Sequence, residues 1–239
     1  MSHIAREQAT GRAAPVLDAG LLERVGELNF DYLELLCSSA PEVADAERSP
    51  DLPPALVCAL QAARTEARRA MAAAPFTLYS LGFEDEGFWR AICEPDGGSV
   101  ATRYDSHSRS PLQASFCRIA LLHAWHVASG NPLAARMLYA MPSSTIKRLA
   151  SAPLWRIQRI AADYPALLAP RWPTNPVFWP DLVRFAAAGD QRRLHMTQLL
   201  GAQLIAAEIG GASSTPAVSH RLHARRAELR KLIRPGKSG

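Results

Sequence analysis

The chain has 239 residues, 48% of them hydrophobic and 21% charged, with a formal charge of +5. This length supports one good core or two small ones. No apolar run reaches the roughly 20 residues of a membrane-spanning helix, and the opening MSHIAREQATGRAAPVLDAG lacks a signal-peptide apolar stretch, so a cytoplasmic protein without membrane insertion is expected.

Taken in chain order, residues 1–18 carry no periodic pattern and are expected to be disordered. LLERVGELNFDYLELL then places Leu21, Leu22, Val25, Leu28, Tyr32, Leu35 and Leu36 at three- and four-residue spacing, which predicts an amphipathic helix over Ala19–Ser38. Asn29 falls inside that helix, where its amide competes for backbone hydrogen bonds and propensity disfavours it. Further helices are predicted at Pro54–Ala73, Asp85–Ile92, Leu112–Ser129, Pro132–Ala140, Ser144–Ala150, Leu154–Ala162, Val177–Ala188, Gln191–Ile209 and Val218–Ile233. The Pro-rich APEVADAERSPDLPP and the stretches EPDGGS and SGNP mark breaks between them. Val, Ile and Thr rarely alternate with polar residues, so the predicted fold class is an all-α helical bundle. PFTLYSLGFEDEGFWRAI (Pro75–Ile92) and ARMLYAMPSSTIKRLA (Ala135–Ala150) share an apolar-Leu-Tyr helix end, a turn and a new helix. An internal duplication would divide the chain into repeats at 19–130 and 131–209, followed by a joint and tail at 210–239.

Catalytic motifs are scarce. There is no Gly-rich phosphate loop, GxSxG elbow or HExxH. His123 and His126 flank Trp125 at a spacing that could present two ligands, but no spaced Asp, Glu or Cys completes a metal set, and aromatic core packing is the expected role. Glu84, Asp85 and Glu86 sit at a helix start, where they complement its dipole. Cys37, Cys58, Cys93 and Cys117 are scattered without CxxC spacing, as for free or buried thiols in a reducing compartment. No enzyme activity, cofactor or metal is expected.

MPSSTIKRLASAPLWRIQRIAADYPALLAPRW is more informative. Ser143 or Ser144 can cap one short helix; Ser151 and Pro153 break it and start a second, with Leu154, Ile157, Ile160 and Ala161 inward and Arg156 and Arg159 outward. This is the outline of a helix-turn-helix, though a plain αα-corner, common in any helical bundle, has the same outline and is the commoner case. The following RWPTNPVFWPD, with three prolines and three large aromatics, is expected to clamp onto the helices. Beyond the joint GGASSTP, the tail carries Arg221, Arg225, Arg226, Arg230, Lys231, Arg234 and Lys237 against Glu228 alone, more positive charge than the whole chain's +5. Such a tail suits nucleic acid, an acidic partner or simple solvation.

These residues resemble the FlhD family of bacterial flagellar transcriptional regulators. The family's opening helix carries an Asn-x-x-Tyr-Leu core, matched here by Asn29, Tyr32 and Leu33. LYSLGFEDE is similar to the turn after its second helix, and RYDSH (Arg103–His107) to a short motif after its helix-turn-helix. ALLHAWHVASGNPLAARMLYAM, IKRLASAPLWRIQRIAADYPALLAPRW and RRLHMTQLLGAQLIAAE match in the second half. The resemblance implies a DNA-binding regulator acting with an FlhC-like subunit. It also makes Asn29 and Tyr32 a polar staple at a helix–helix or subunit interface. DNA contacts are then expected from Arg156 and Arg159 and from the basic tail, with homo-oligomerisation left open. The loose Leu-rich pattern is also somewhat similar to type III secretion sorting-platform accessory proteins, which implies the alternative of a helical adaptor without DNA binding.

Overall fold

The computed structural model describes residues 17–38, 52–93, 104 and 110–211. The helix expected at Val218–Ile233, the basic tail and most of RYDSH lie outside the described residues. Within them the fold is all-α, with ten helices and a single two-stranded ladder. The helices are α1 (Ala19–Ser38), α2 (Pro54–Ala62), α3 (Thr65–Ala72), α4 (Glu86–Cys93), α5 (Pro111–Gly130), α6 (Pro132–Tyr139), α7 (Ser143–Ser151), α8 (Leu154–Asp163), α9 (Phe178–Ala187) and α10 (Gln191–Gly211). Strand β1 (Tyr79–Ser80) pairs antiparallel with β2 (Ala169–Pro170), Tyr79 opposite Pro170.

α5 is the hub. Its buried face, Phe116, Cys117, Ala120, Leu121, Ala124, Val127 and Ala128, receives α1, α6, α7 and α8. Ser110 starts it with a capping box to Gln113, and Asn131 ends it while capping α6 through the Ala134 amide. α9 packs on α10, α3 and α2, and α4 on α7. One hydrophobic cluster runs from Val25 to Ile205, so the two expected repeats share a single core.

The two Leu-Tyr segments do not repeat one conformation. Tyr79 is extended in β1, whereas Tyr139 is the last residue of α6. They meet side by side: the Thr77 amide donates to the Leu138 carbonyl at 3.2 Å, and the Tyr79 and Tyr139 rings contact edge-on at 6.4 Å.

The helix predicted at Pro54–Ala73 is two. Ala63 and Arg64 are extended (ψ 140° and 157°). Arg68 closes the break, donating from Nη1 to the Ala63 carbonyl at 2.5 Å and from Nε to Glu34 Oε1 at 2.7 Å. A side chain thus takes up a helix-end carbonyl that the next turn would otherwise have served.

Segment 72–80 threads the core, and its backbone polar groups are satisfied from three directions. Asn29 of α1, wholly buried, donates from Nδ2 to the carbonyls of Phe76 (2.8 Å) and Ala72 (3.1 Å), and its Oδ1 accepts the Leu78 amide at 2.8 Å. The Leu138 carbonyl takes the Thr77 amide, and the Leu78 carbonyl takes the Arg171 amide at 3.0 Å. A mid-helix Asn is tolerated here because both ends of its amide are used on backbone that would otherwise be buried unpaired.

The expected clamp at 171–181 is present. Phe178 and Trp179 are fully buried, the Trp179 indole donates to the Arg171 carbonyl at 2.6 Å, and Asn175 Oδ1 accepts the amides of Val177 and Phe178. Trp172 adopts a left-handed conformation (φ 51°), as does Ala140 after α6 (φ 52°).

Candidate nucleic-acid interface

α7 and α8 are joined by Ala152 and Pro153 alone, both extended. α7 buries Thr145, Ile146 and Leu149, and α8 buries Ile157, Ile160 and Ala161; both sit against α5. The caps differ from expectation. Pro142 and Pro153 occupy the cap positions without side-chain hydrogen bonds, Ser143 is the first residue of α7, and Ser151 ends α7 with its hydroxyl on the Arg148 carbonyl. Proline fixes φ near the helical value and brings no amide to satisfy, so it starts a helix without a polar cap. Trp125 of α5 holds the link, its indole donating to the Ala152 carbonyl at 3.1 Å.

The two arginines assigned to DNA part company. Arg159 is exposed and pairs with Asp163, one turn on, at 3.3 Å. Arg156 is half-buried and turns back: Nη1 donates to the Cys93 carbonyl at the end of α4 (2.6 Å), and the guanidinium lies 5.2 Å from the Trp155 ring centroid. Successive helical residues rotate by about 100°, so residues three apart diverge by about 60°. That divergence puts Arg156 on the flank and Arg159 on the outside. Burial pushes the Cys93 thiol beside this contact up to about 11, against the pull of Arg156 and Arg148.

The missed side chains are Trp155 and Gln158. Trp155 is 57% exposed, and Gln158 is also exposed. A helical wheel centred on Ile157, Ile160 and Ala161 would have found both, since Trp155, Gln158, Arg159 and Ala162 lie opposite that centre.

Along the sequence around α8 the charge is one-sided. From residue 110 to 163 the basic residues are Arg118, Arg136, Lys147, Arg148, Arg156 and Arg159, and Asp163 is the only carboxylate. Arg118 and Lys147 are exposed. Glu86 of α4 approaches from outside this stretch and hydrogen-bonds the Ser144 hydroxyl. α1 has the opposite balance, Glu23, Glu27, Asp31 and Glu34 against Arg24. Burial and then its neighbours Glu27 and Glu34 hold the Asp31 carboxyl above its ordinary range.

The residues expected at an interface, Asn29, Tyr32 and Leu33, are all buried inside the chain. Tyr32 stacks within its own core, 5.4 Å from Tyr79 and 5.7 Å from Phe116. The staple is therefore internal, joining a helix to the central thread.

The two histidines also separate. His123 shares a 2.6 Å hydrogen bond with the Tyr139 hydroxyl, and burial, then His126 and Arg24, bring it down to about 4. His126 is exposed. Among the described residues no three of His, Cys, Asp and Glu gather in metal-holding geometry, and no helix is long and apolar enough to cross a membrane. None of the four cysteines forms a disulfide among the described residues; Cys117 is buried and Cys58 exposed. Arg221, Arg225, Arg226, Arg230, Lys231 and Arg234 lie outside the described residues.

No family model, curated protein or solved structure matches the chain.

Proposed function

We propose that the chain is a cytoplasmic DNA-binding transcriptional regulator that works in a multi-subunit complex, with the α7–α8 corner as its DNA-facing element. The supporting observation is the outward stand of α8, an anchored helix that exposes Trp155, Gln158 and Arg159, within a sequence stretch (110–163) where six cations face one carboxylate. Phosphates attract such a surface regardless of sequence, and a helix on a rigid two-residue link suits the major groove. The FlhD resemblance adds flagellar or related genes as the regulated class and an FlhC-like subunit as the partner.

A salt series tests this. Full-length protein on labelled duplex should lose affinity between about 50 and 200 mM salt with a log–log slope near −0.9 per phosphate contact. Deleting residues 218–239 should flatten that slope by several units and weaken all sequences alike. No binding at low salt, with the natural partner present, overturns the reading.

The second reading, a helical adaptor without DNA binding, is favoured by exposed apolar side chains: Leu133 and Met137 on α6, and Met196 and Leu199 on α10. Apolar surface in contiguous patches marks protein contacts. Co-purification from the native host separates the two, since a second regulator subunit supports the first and secretion-apparatus components support the adaptor.

A further inference from the structure

We infer that base selection is carried by Gln158 and Arg159 on the outer stripe of α8, with Trp155 and Ala162 as its apolar ends, and that Arg156 braces the stripe without reading bases. The inference rests on the DNA-binding reading and names its specificity determinants. Positions 155, 158, 159 and 162 recur at helical spacing and are all exposed, while Ile157, Ile160 and Ala161 on the opposite side are buried. Seven residues of helix rise about 10 Å, comparable with a major groove about 12 Å wide.

The chemistry of the stripe matches base edges. A Gln amide is bidentate toward adenine N6 and N7, an Arg guanidinium toward guanine O6 and N7, and an aromatic ring or methyl packs on the thymine methyl. The Arg159–Asp163 pair does not prevent this. Its partners are 68% and 49% exposed, and exposed pairs are weak enough to exchange for a better acceptor. Arg156, by contrast, is spent on the Cys93 carbonyl and lies against Trp155, which fixes the first turn of α8 relative to α4. Duplex DNA is favoured over a protein occupant by charge. The sequence stretch 110–163 that contains α8 carries six cations against one carboxylate, with Arg118 on α5 and Lys147 on α7 exposed, a balance that suits flanking phosphates.

Selection of preferred sites from a random duplex pool with the full-length chain, followed by anisotropy titrations on a selected and a scrambled duplex, tests this. Gln158→Ala and Arg159→Ala should each reduce the selected-to-scrambled affinity ratio by about 5- to 150-fold, the effect of one bidentate pair. Gln158→Ala should leave scrambled-duplex affinity nearly unchanged, because it removes no charge. Both side chains are exposed, so truncation spares the core, and circular dichroism melts confirm it. Duplex binding with a ratio unchanged in both variants overturns the inference and leaves the DNA-binding reading standing. Absence of binding by the wild type at low salt removes both, and loss of a co-purifying protein on Trp155→Ala then assigns the stripe to a protein partner.

Discussion

Asn29 and Arg171 hold the same residue from opposite sides. The Leu78 amide goes to the Asn29 side chain and the Leu78 carbonyl to the Arg171 backbone. Both residues are buried, yet their side chains are solvated by the protein very differently. The Asn29 amide is neutral and uses both its carbonyl and its NH₂ on backbone partners. The Arg171 guanidinium brings a charge indoors and, among the described residues, finds one acceptor, the Tyr139 carbonyl at 2.6 Å, with the Trp172 ring centroid 5.5 Å away, while Nε and Nη1 meet no acceptor there. A satisfied amide fixes position at little cost; a desolvated cation costs several kcal/mol unless paired. Left-handed Ala140 and Trp172 adjoin the Tyr139–Arg171 contact and add of order 1–3 kcal/mol each. The α1 side of the thread is thus its rigid anchor, and the 169–172 side a strained latch.

The largest test of this contrast is Asn29→Leu. It leaves the Leu78 amide and the Phe76 and Ala72 carbonyls buried without partners, each worth about 1–3 kcal/mol. A loss of about 3–5 kcal/mol in urea unfolding is expected, and a loss under about 1 kcal/mol would show that the thread does not depend on α1.

Gly201→Ala comes next and probes the thread from its third side. A Cβ at Gly201 would lie 2.2 Å from Phe76 Cζ and 2.8 Å from Phe178 Cε2. Alanine is the better helix former by about 1 kcal/mol, so helix propensity and packing predict opposite signs. Overpacking against two buried rings should win, with a net loss of about 1–3 kcal/mol in thermal melts. A gain in stability would mean α10 sits further from Phe76 than this packing requires.

How far this was legible in the sequence differs between the two residues. Asn29 announced itself, because a mid-helix Asn on an apolar face needs a reason, and periodicity returned α1 with its ends at Ala19 and Ser38. Its partners were hidden, since the backbone groups it serves lie at the end of α3 and in the irregular segment after it, which has no side-chain pattern of its own. The β1–β2 ladder was missed for the same reason: two residues per strand are too few to alternate. Arg171 gave no signal at all, because an Arg beside Trp-Pro reads as surface, and only the fold places it beneath the clamp. On α8 Ile157, Ile160 and Ala161 are buried as expected, but Leu154, read as inward, is 46% exposed at the helix start, and outwardness was given to both arginines. The 60° between them decides, and Arg156 finds an acceptor on α4, which lies more than sixty residues away in sequence.

Acid should strain the region around the latch by a smaller amount. His123 bonds the hydroxyl of Tyr139, the residue whose carbonyl receives Arg171. Its folded value, about 4, lies below the ordinary 6.5, so the unfolded chain binds more protons between those values and stability rises with pH there. The melting temperature should be unaffected by this group above pH 6.5 and fall as pH drops from 6.5 toward 4. The ring is partly exposed, and screening keeps the loss below that of either substitution. In His123→Gln the decline over that window should flatten; an unchanged decline would assign acid sensitivity elsewhere.

The smallest expected effect carries the sharpest meaning. Arg171→Met removes the buried charge, keeps a long apolar side chain beneath the clamp, and orphans one acceptor, the Tyr139 carbonyl. The orphaned acceptor costs about 1 kcal/mol or somewhat more, and relief of an unpaired buried cation offsets it. The net change should fall within about 1 kcal/mol of zero or be stabilising, in contrast to Asn29→Leu on the other side of Leu78. Arg171→Lys keeps the charge, shortens its reach to Tyr139 and concentrates it on one nitrogen, so it should be the less stable variant of the two. Burial lowers the Arg171 pKa while the carboxylates of Glu208 and Glu84 act in the opposite direction. If Arg171→Met instead costs more than about 2 kcal/mol, the field of those two carboxylates compensates the guanidinium at a distance. The latch would then be as well supported as the Asn29 anchor, by long-range charge in place of hydrogen bonds.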